Sequence, residues 1–331
     1  MTTVVLANGN SFASTPGQSL LDAALAAGLV LEHSCKTGRC SSCKARVTAG
    51  STEALRPEEG LCDADQRDGW ILTCVRSATT DVTLDIEDLG EVADYPARTW
   101  PARIQQLERV ADDVMRITLR LPPTANFRYL AGQYIDVIGP DGLRRAYSVA
   151  NAPAGTAGPV ELHVRAVEGG RMSDYWFNRA KQNDLLRIHG PLGTFFLREA
   201  ADDDIVFLAT GTGIAPVKAM LEQLGKSRAA STPRQRVTVY WGNRVPSDHY
   251  WQPASEGLDV TFVPIASRAA GDWQGARGHA QDVFLTTKPD LSRTWVYACG
   301  SNAMIEAAQR QLVAAGLPAK RFHSDAFVCS S

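Results

Sequence analysis

No apolar run in this 331-residue chain approaches the roughly 18–20 residues that cross a bilayer as a helix. Residues 1–10 lack the basic stretch and apolar core of a secretory leader. Together these absences predict a protein that stays in the cytoplasm and has no membrane partner. Charge of one sign is not in excess either. Lys and Arg number 34 against 36 Asp and Glu, for a formal net charge of -2. The two signs are interspersed, so there is no basic stripe of the kind that binds nucleic acid. Internal repeats and low-complexity tracts are missing as well, which argues against solenoids and disordered tails. Cysteine is scarce outside one window. Of seven, five fall at Cys35, Cys40, Cys43, Cys62 and Cys74, and only Cys299 and Cys329 lie elsewhere. Clustered thiols in a reducing compartment read as metal ligands or catalytic groups rather than disulfides.

The length allows two or three domains. With 44% hydrophobic and 21% charged residues, each can bury an ordinary core. The pattern changes character along the chain. In residues 1–90, strand-like residues 4–6 and Phe12 flank Asn8-Gly9, a hairpin turn. Residues 20–27 read as a short helix capped by Ser19 and ended by Gly28. Residues 46–48 and 81–86 read as strands. A linker is expected at 91–101, stiffened by Pro96 and Pro101. Residues 102–200 carry short alternating strands at 115–121, 133–138, 146–150 and 160–167, with one helix at 172–180. That is the signature of an antiparallel Greek-key β-barrel. Residues 201–331 alternate buried strands (205–209, 237–241, 260–265, 295–298) with helices such as 302–315, the pattern of a doubly wound α/β domain.

The most specific local signal is Cys35-x4-Cys40-x2-Cys43 followed by Cys74. This is the plant-type ferredoxin spacing for a [2Fe–2S] cluster, which needs four thiolates, two per iron. Gly38 and the small Ser41 and Ser42 let the loop wrap close, so that backbone N–H groups can point at sulfur. Ser41 stands where this loop usually has Gly. Zinc is the alternative, but structural zinc favours two C-x2–4-C knuckles, and only Cys40 and Cys43 form one. Cys62 is expected to be a bystander near the cluster. The ferredoxin resemblance implies a β-grasp fold for this first domain.

Arg145-Ala-Tyr-Ser148, set among barrel strands, resembles the flavin motif of the ferredoxin–NADP reductase superfamily. The resemblance implies that Arg145 meets a flavin phosphate, that Tyr147 stacks on the isoalloxazine or ribityl chain, and that Ser148 sits by flavin N5, where hydride arrives. His163-Val164-Arg165 and Gly169-Gly170-Arg171-Met172-Ser173 match the superfamily's second flavin segment. Gly170 to Ser173 open a helix that can hold pyrophosphate, which favours FAD over FMN. His163 is given no catalytic role.

Ala209-Thr210-Gly211-Thr212-Gly213-Ile214-Ala215-Pro216 follows an apolar strand and opens a helix, as a dinucleotide pyrophosphate requires. In that superfamily string Thr210 stands where relatives more often have Gly. The resemblance places Cys299-Gly300 beside the nicotinamide, with Cys299 shaping the hydride-transfer pocket and not acting as a nucleophile. It makes Phe327 the aromatic residue that covers the flavin. Tyr240-Trp-Gly-Asn-Arg244 resembles NADH-linked members. Arg268 is the candidate for a 2′-phosphate, and NADH is expected over NADPH.

The order ferredoxin, flavin barrel, nucleotide domain is similar to that of the reductase components of bacterial oxygenases. Stretches such as 119–126, 129–136, 147–153, Gly193-Thr-Phe-Phe and 324–328 resemble the CDP-6-deoxy-L-threo-D-glycero-4-hexulose-3-dehydrase reductases of deoxysugar biosynthesis. The resemblance implies hydride transfer from NADH to FAD, then single electrons through the cluster to a redox partner protein. That partner is a pyridoxamine-phosphate sugar dehydrase or, alternatively, an oxygenase component. A non-catalytic redox sensor is the rival from another class, and three intact cofactor motifs speak against it. Lys36, Arg39, Lys44 and Arg46 flank the cluster loop and read as a solvated loop or as a dock for an acidic partner.

Overall fold

The computed structural model describes residues 1–139, 141–155, 158–198, 200, 203–228, 235–253 and 258–327; Cys329 lies outside them. The chain forms two compact units. Met1–Pro96 with Gly193–Phe195 make the first, and Ala97–Leu192 with Phe196–Phe327 the second. No helix among the described residues is long and apolar enough to cross a membrane.

The first unit opens with the expected hairpin, β1 (Thr2–Leu6) and β2 (Ser11–Ser14), with Val4 opposite Phe12. Gly9 takes φ +84° in the turn, where a side chain would be strained. Helix α1 (Leu20–Ala26) begins where Ser19 Oγ accepts from the Asp22 amide at 3.0 Å, an N-cap. Strands β3 (Lys44–Ala49) and β4 (Thr52–Ala54), helix α2 (Asp63–Arg67), and strands β5 (Trp70–Leu72), β6 (Arg76–Ala78) and β7 (Val82–Leu84) follow. The main sheet runs β2-β1-β7-β3-β5. β1 and β7 are parallel, and β7 and β3 antiparallel. Leu20, Leu21 and Ala24 of α1 pack with Val4, Leu6, Leu72 and Leu84 in one core. A mixed sheet closed by one helix is the expected β-grasp. The expected strand 46–48 is the middle of β3, and 81–86 shrinks to β7. Thr194 completes this unit: its Oγ1 accepts from the His33 amide at 2.8 Å and donates to the His33 carbonyl at 2.9 Å.

After helix α3 (Gly90–Ala93), the second unit begins with β8 (Arg98–Ala111), β9 (Val114–Arg120), β10 (Tyr134–Ile138), β11 (Arg144–Ser148), β12 (Val160–Arg165), helix α4 (Arg171–Asp174) and β13 (Leu185–Leu192). All six strands pair antiparallel in the order β11-β10-β13-β8-β9-β12. A bridge between Val149 and Leu162 joins the two ends into a barrel. Ile104, Ile117, Ile135, Val137, Leu162 and Ile188 fill its interior with no exposed surface, each worth about 1.5–3 kcal/mol of transfer free energy. One expectation is corrected. The linker at 91–101 is shorter, because Arg98 to Pro101 already belong to β8. Pro101 pairs with Arg187 of β13, while β9 joins β8 only from Arg103. The proline therefore sits where the strand is paired on one side, the position that tolerates a missing N–H. The helix expected at 172–180 is α4 running into a wide turn, Tyr175–Arg179, where the Ala180 amide reaches back to the Tyr175 carbonyl at 2.7 Å.

The remaining elements are β14 (Asp204–Thr210), α5 (Ile214–Arg228), β15 (Val237–Asn243), β16 (Val260–Ala266), α6 (Ala280–Thr286), β17 (Thr294–Ser301), α7 (Asn302–Ala314) and β18 (Phe322–Phe327). Their sheet is wholly parallel in the order β16-β15-β14-β17-β18. The chain leaves β14 in one direction and returns on its other side at β17. The C-terminal ends of β14 and β17 therefore form the switch point where such sheets bind ligands.

Candidate functional site

The cluster loop runs between α1 and β3. Lys36, Gly38 and Ser41 take φ of 56°, 81° and 58°, three left-handed turns that coil the loop tightly. A Cβ on Gly38 would lie 2.7 Å from the Pro57 carbonyl oxygen, so only glycine fits there. Ser41 accepts the conformation that a Gly would take without strain, and its hydroxyl donates to the Gly60 carbonyl. The Cys35 amide donates to Cys40 Sγ and the Thr37 amide to Cys35 Sγ, both at 3.4 Å. The four thiols fall into two pairs. Cys40 donates to Cys35, which holds the Cys35 thiol down at about 4 and pushes Cys40 up. Cys43 donates to Cys74 with the same opposed directions. Among the described residues no three His, Cys, Asp or Glu side chains converge on one point. Two pairs of thiols suit two irons, whereas one tetrahedral zinc needs all four around a single ion. Cys62 is exposed at the start of α2 and belongs to neither pair.

Strand β11 carries the second motif. Arg145 is half-buried, and its guanidinium pairs with no carboxylate among the described residues. Among the described residues it donates to the Arg144 carbonyl at 2.9 Å. Tyr147 OH accepts from Trp176 Nε1 at 3.1 Å. Burial pushes its pKa up to about 12, so it stays a neutral ring. Ser148 is buried, and its hydroxyl lies 3.5 Å from Asp325 Oδ2. On β12, Val164 is a core residue, so only its backbone can meet a ligand. His163 has both ring nitrogens engaged, Nε2 with Glu161 at 2.9 Å and Nδ1 with the Tyr250 hydroxyl at 3.2 Å. Arg165 Nε lies 3.3 Å from Asp113 Oδ2. Its Nη2 is buried without a hydrogen-bond partner, as a group awaiting an anion would be. The amides of Arg171, Met172 and Ser173 open α4. Met172 itself is buried, its Sδ 3.1 Å from where a Gly139 Cβ would stand, and Ser173 Oγ accepts from the Val167 amide at 2.9 Å.

At the switch point, Gly211, Thr212 and Gly213 form a tight turn into α5, with Pro216 buried in its first turn. A Cβ on Gly213 would lie 2.3 Å from the Cys299 carbonyl oxygen. The two turns thus touch backbone to backbone. Trp241 Nε1 donates to the Gly211 carbonyl at 2.8 Å and fixes the first of them. Cys299 is fully buried; burial, and then Asp325, push its thiol well up. Both effects favour the neutral thiol over the thiolate. Gly300 takes φ +129°. Parallel pairing sets Asp325 beside Cys299 and Phe327 beside Ser301, and Phe327 is 38% exposed. At the tip of β15 the Asn243 amide is buried with neither atom bonded. The Arg268 amide donates to the Arg244 carbonyl at 2.8 Å. The two exposed arginines therefore leave adjacent strands side by side.

Ser148, Asp325, Cys299, Gly213 and Gly300 lie together in the second unit, while the two thiol pairs belong to the first. Sequence reasoning missed Asp325 and the structural part of Trp241. Asp325 could have been noticed as an acid at a buried position in a strand, which is rare without a purpose.

Comparison with known proteins gives a consistent pattern. Residues 5–79 match the 2Fe-2S iron-sulfur cluster binding domain family, 101–197 the oxidoreductase FAD-binding domain and 207–310 the oxidoreductase NAD-binding domain. The chain is 43% identical to the CDP-6-deoxy-L-threo-D-glycero-4-hexulose-3-dehydrase reductase of Yersinia pseudotuberculosis, covering 98% of this chain and 97% of the relative. It is 32% identical to terephthalate 1,2-dioxygenase reductase component 1 of a Comamonas species, covering 97% and 95%. The structure is similar to that of an Amycolatopsis cytochrome P450 reductase, with a TM-score of 0.72 at 27% identity over the whole of both chains.

Proposed function

The chain belongs to the iron–sulfur flavoprotein reductases, the family that holds the CDP-6-deoxy-hexulose-3-dehydrase reductases and the reductase components of oxygenases; from that premise we propose which residues carry its electrons and where they go. It is an oxidoreductase that uses a nicotinamide nucleotide, FAD and a [2Fe–2S] cluster. When bound, the flavin takes hydride as an electron pair and the cluster passes electrons singly.

Cys35 and Cys40 hold one iron, and Cys43 and Cys74 the other. All four bind as thiolates, so assembly releases the protons still held within the two pairs. Arg145 binds a flavin phosphate and Arg165 a second anionic group. Tyr147, kept neutral and braced by Trp176, offers a flat face to the flavin. Asp325 accepts the Ser148 hydroxyl hydrogen and so fixes which way that hydroxyl points, while Cys299 and Phe327 close the pocket against water. The single observation that carries this reading is the convergence of Ser148, Asp325 and Cys299 beside the Gly213–Gly300 contact. It supports a single site served by both a flavin motif and a nucleotide motif.

The acceptor is a redox partner protein. The 43% identity along nearly the whole chain supports a pyridoxamine-phosphate-dependent CDP-4-keto-6-deoxyglucose 3-dehydrase. The 32% relative supports an oxygenase component as the alternative. For the nucleotide, NADH is the first reading. Adjacent Arg244 and Arg268, which make no ion pair among the described residues, favour a second, NADPH, since two guanidinium groups suit a 2′-phosphate. The test is an absorbance spectrum of anaerobically purified protein before and after one equivalent of either nucleotide, then electron delivery to each partner type. Flavin bands with cluster shoulders that bleach are expected. A colourless protein, or flavin alone, would overturn the ligand set. A preference for NADPH that Arg268→Ala abolishes would settle the nucleotide the other way.

A further inference from the structure

The pairing of β14 with β17 reaches its last backbone partners at Ala209 and Cys299. One residue on, the chains diverge into the two turns of the site. The next link between them is made by a side chain: Thr210 Oγ1 accepts from the Ser301 amide at 2.9 Å. The same hydroxyl occupies the space beside Gly300, where an added Cβ would lie 2.2 Å from it. On its other flank Thr210 pairs in parallel register with Gly242 of β15. Ser301 in turn caps α7, its Oγ accepting from the Met304 amide at 3.3 Å.

We propose that Thr210 is a positioning residue for hydride transfer. Its hydroxyl staples the Gly211–Gly213 turn, which takes the pyrophosphate, to the Cys299–Ser301 turn, which borders the nicotinamide. The inference rests on the nucleotide site proposed above. Each turn is flexible by composition, since glycine loses the most freedom on ordering. Trp241 fixes the first turn through Gly211, and Thr210 extends that order to the second. Without the staple, the pyrophosphate anchor remains, but the turn bordering the nicotinamide moves independently of it. Small errors in the position of a reacting atom cost rate more than affinity.

The test compares Thr210→Val, which keeps shape and loses the hydroxyl, with Thr210→Ser, which keeps the hydroxyl. Both are studied as the full-length, cofactor-loaded protein. Stopped-flow measurement at saturating NADH gives the limiting rate of flavin reduction. Titration with ADP-ribose, which lacks the nicotinamide, reports the anchor alone. Thr210→Val is expected to slow flavin reduction about tenfold with ADP-ribose affinity within about twofold, and Thr210→Ser to restore the rate. Ser301→Pro removes the same hydrogen from the other side, at a φ of -67° that proline accepts. It should slow the reaction likewise, and it keeps the test open should Thr210→Val fold poorly. An undiminished rate in Thr210→Val and Ser301→Pro overturns the proposal. So does a loss in Thr210→Ser as large as in Thr210→Val, or ADP-ribose binding that weakens in step with the rate. Wild-type protein that binds no ADP-ribose would remove the nucleotide reading itself, and the staple with it.

Discussion

Asp325 is the residue on which the pocket turns. It is 4% exposed, lies 3.5 Å from the Ser148 hydroxyl, and pairs in register with Cys299. A buried carboxylate is costly unless it is used or paired. Asp325→Asn keeps the shape and removes the charge that orients Ser148. The limiting rate of flavin reduction should fall by about ten- to a hundredfold with FAD content unchanged, read by stopped flow. Ser148→Ala should produce most of the same loss, and the double variant little more, because the two act as a unit. In the first unit the paired thiols make an equally specific claim. Cys74→Ser should lose the cluster absorbance yet keep NADH-driven reduction of ferricyanide, because the flavin pocket draws no residue from that pair. The thiol quartet could be read from the sequence because metal ligation demands fixed spacing. Asp325 could not, because one acid in a strand carries no periodicity; only the fold brings it to Ser148. His163 shows the reverse. Its motif was visible, but Glu161 and Tyr250 occupy both ring nitrogens, and Tyr250 reaches the ring from 87 residues along the chain.

At the scale of elements, β12 and α5 are joined by a partly buried ionic network. Lys218 Nζ lies 3.2 Å from Glu161 and 2.6 Å from Glu222, and donates to the Ala150 carbonyl at 3.1 Å. Glu222 accepts in turn from the Ala152 amide at 2.9 Å. Lys218→Met would leave two carboxylates without their cation. It should destabilise the second unit by about 1 kcal/mol, since solvent reaches the pair and screens it, read as a lower melting temperature. His163 belongs to the same cluster, and burial lowers its pKa below the ordinary 6.5. The folded state therefore binds its proton less readily than the unfolded chain. The associated stability is complete above pH 6.5 and is lost as pH falls from there through the lowered folded value. His163→Gln, which does not titrate, should flatten that part of the melting-temperature profile. Gly213→Ala tests the contact between elements, since its Cβ would meet the Cys299 carbonyl at 2.3 Å; nucleotide binding should be lost. The strands with clear alternation, β9 to β12, were legible in the sequence. β8 and β13 were not, because Pro101 and Gly190-Pro191 read as breaks, and sheet pairing tolerates them where one edge is open. β18 escaped because His323 and Asp325 interrupt its apolar run.

Over the whole molecule, the three modules were legible because each has its own period and its own cofactor motif. The distribution of charge adds what no motif states. Within the first 96 residues, all seven Lys and Arg lie between Lys36 and Arg76, the segment that carries the four thiols, whereas eight of the fourteen Asp and Glu lie outside it. Arg39 is paired with Glu59 and Lys44 with Asp65. Lys36, Arg46, Arg56 and Arg67 are exposed, and none makes an ion pair among the described residues. Arg56 reaches the Lys36 carbonyl at 3.5 Å, so these two cations sit together against the cluster loop. A single electron must leave through a partner that approaches the cluster, and free cations at that loop steer an acidic surface toward it. Reduction of the dehydrase or oxygenase partner should therefore slow as ionic strength rises from about 0.05 to 0.5 M, since screening shortens from roughly 14 Å to 4 Å. The paired reversal Lys36→Glu with Arg56→Glu should lower the low-salt rate about tenfold and flatten its salt dependence. Flavin reduction by NADH, measured on the same protein, should be unchanged, because Lys36 and Arg56 belong to the first unit and the flavin pocket to the second. A partner rate indifferent to salt and to both reversals would remove electrostatic docking and leave an apolar contact as the means of recognition.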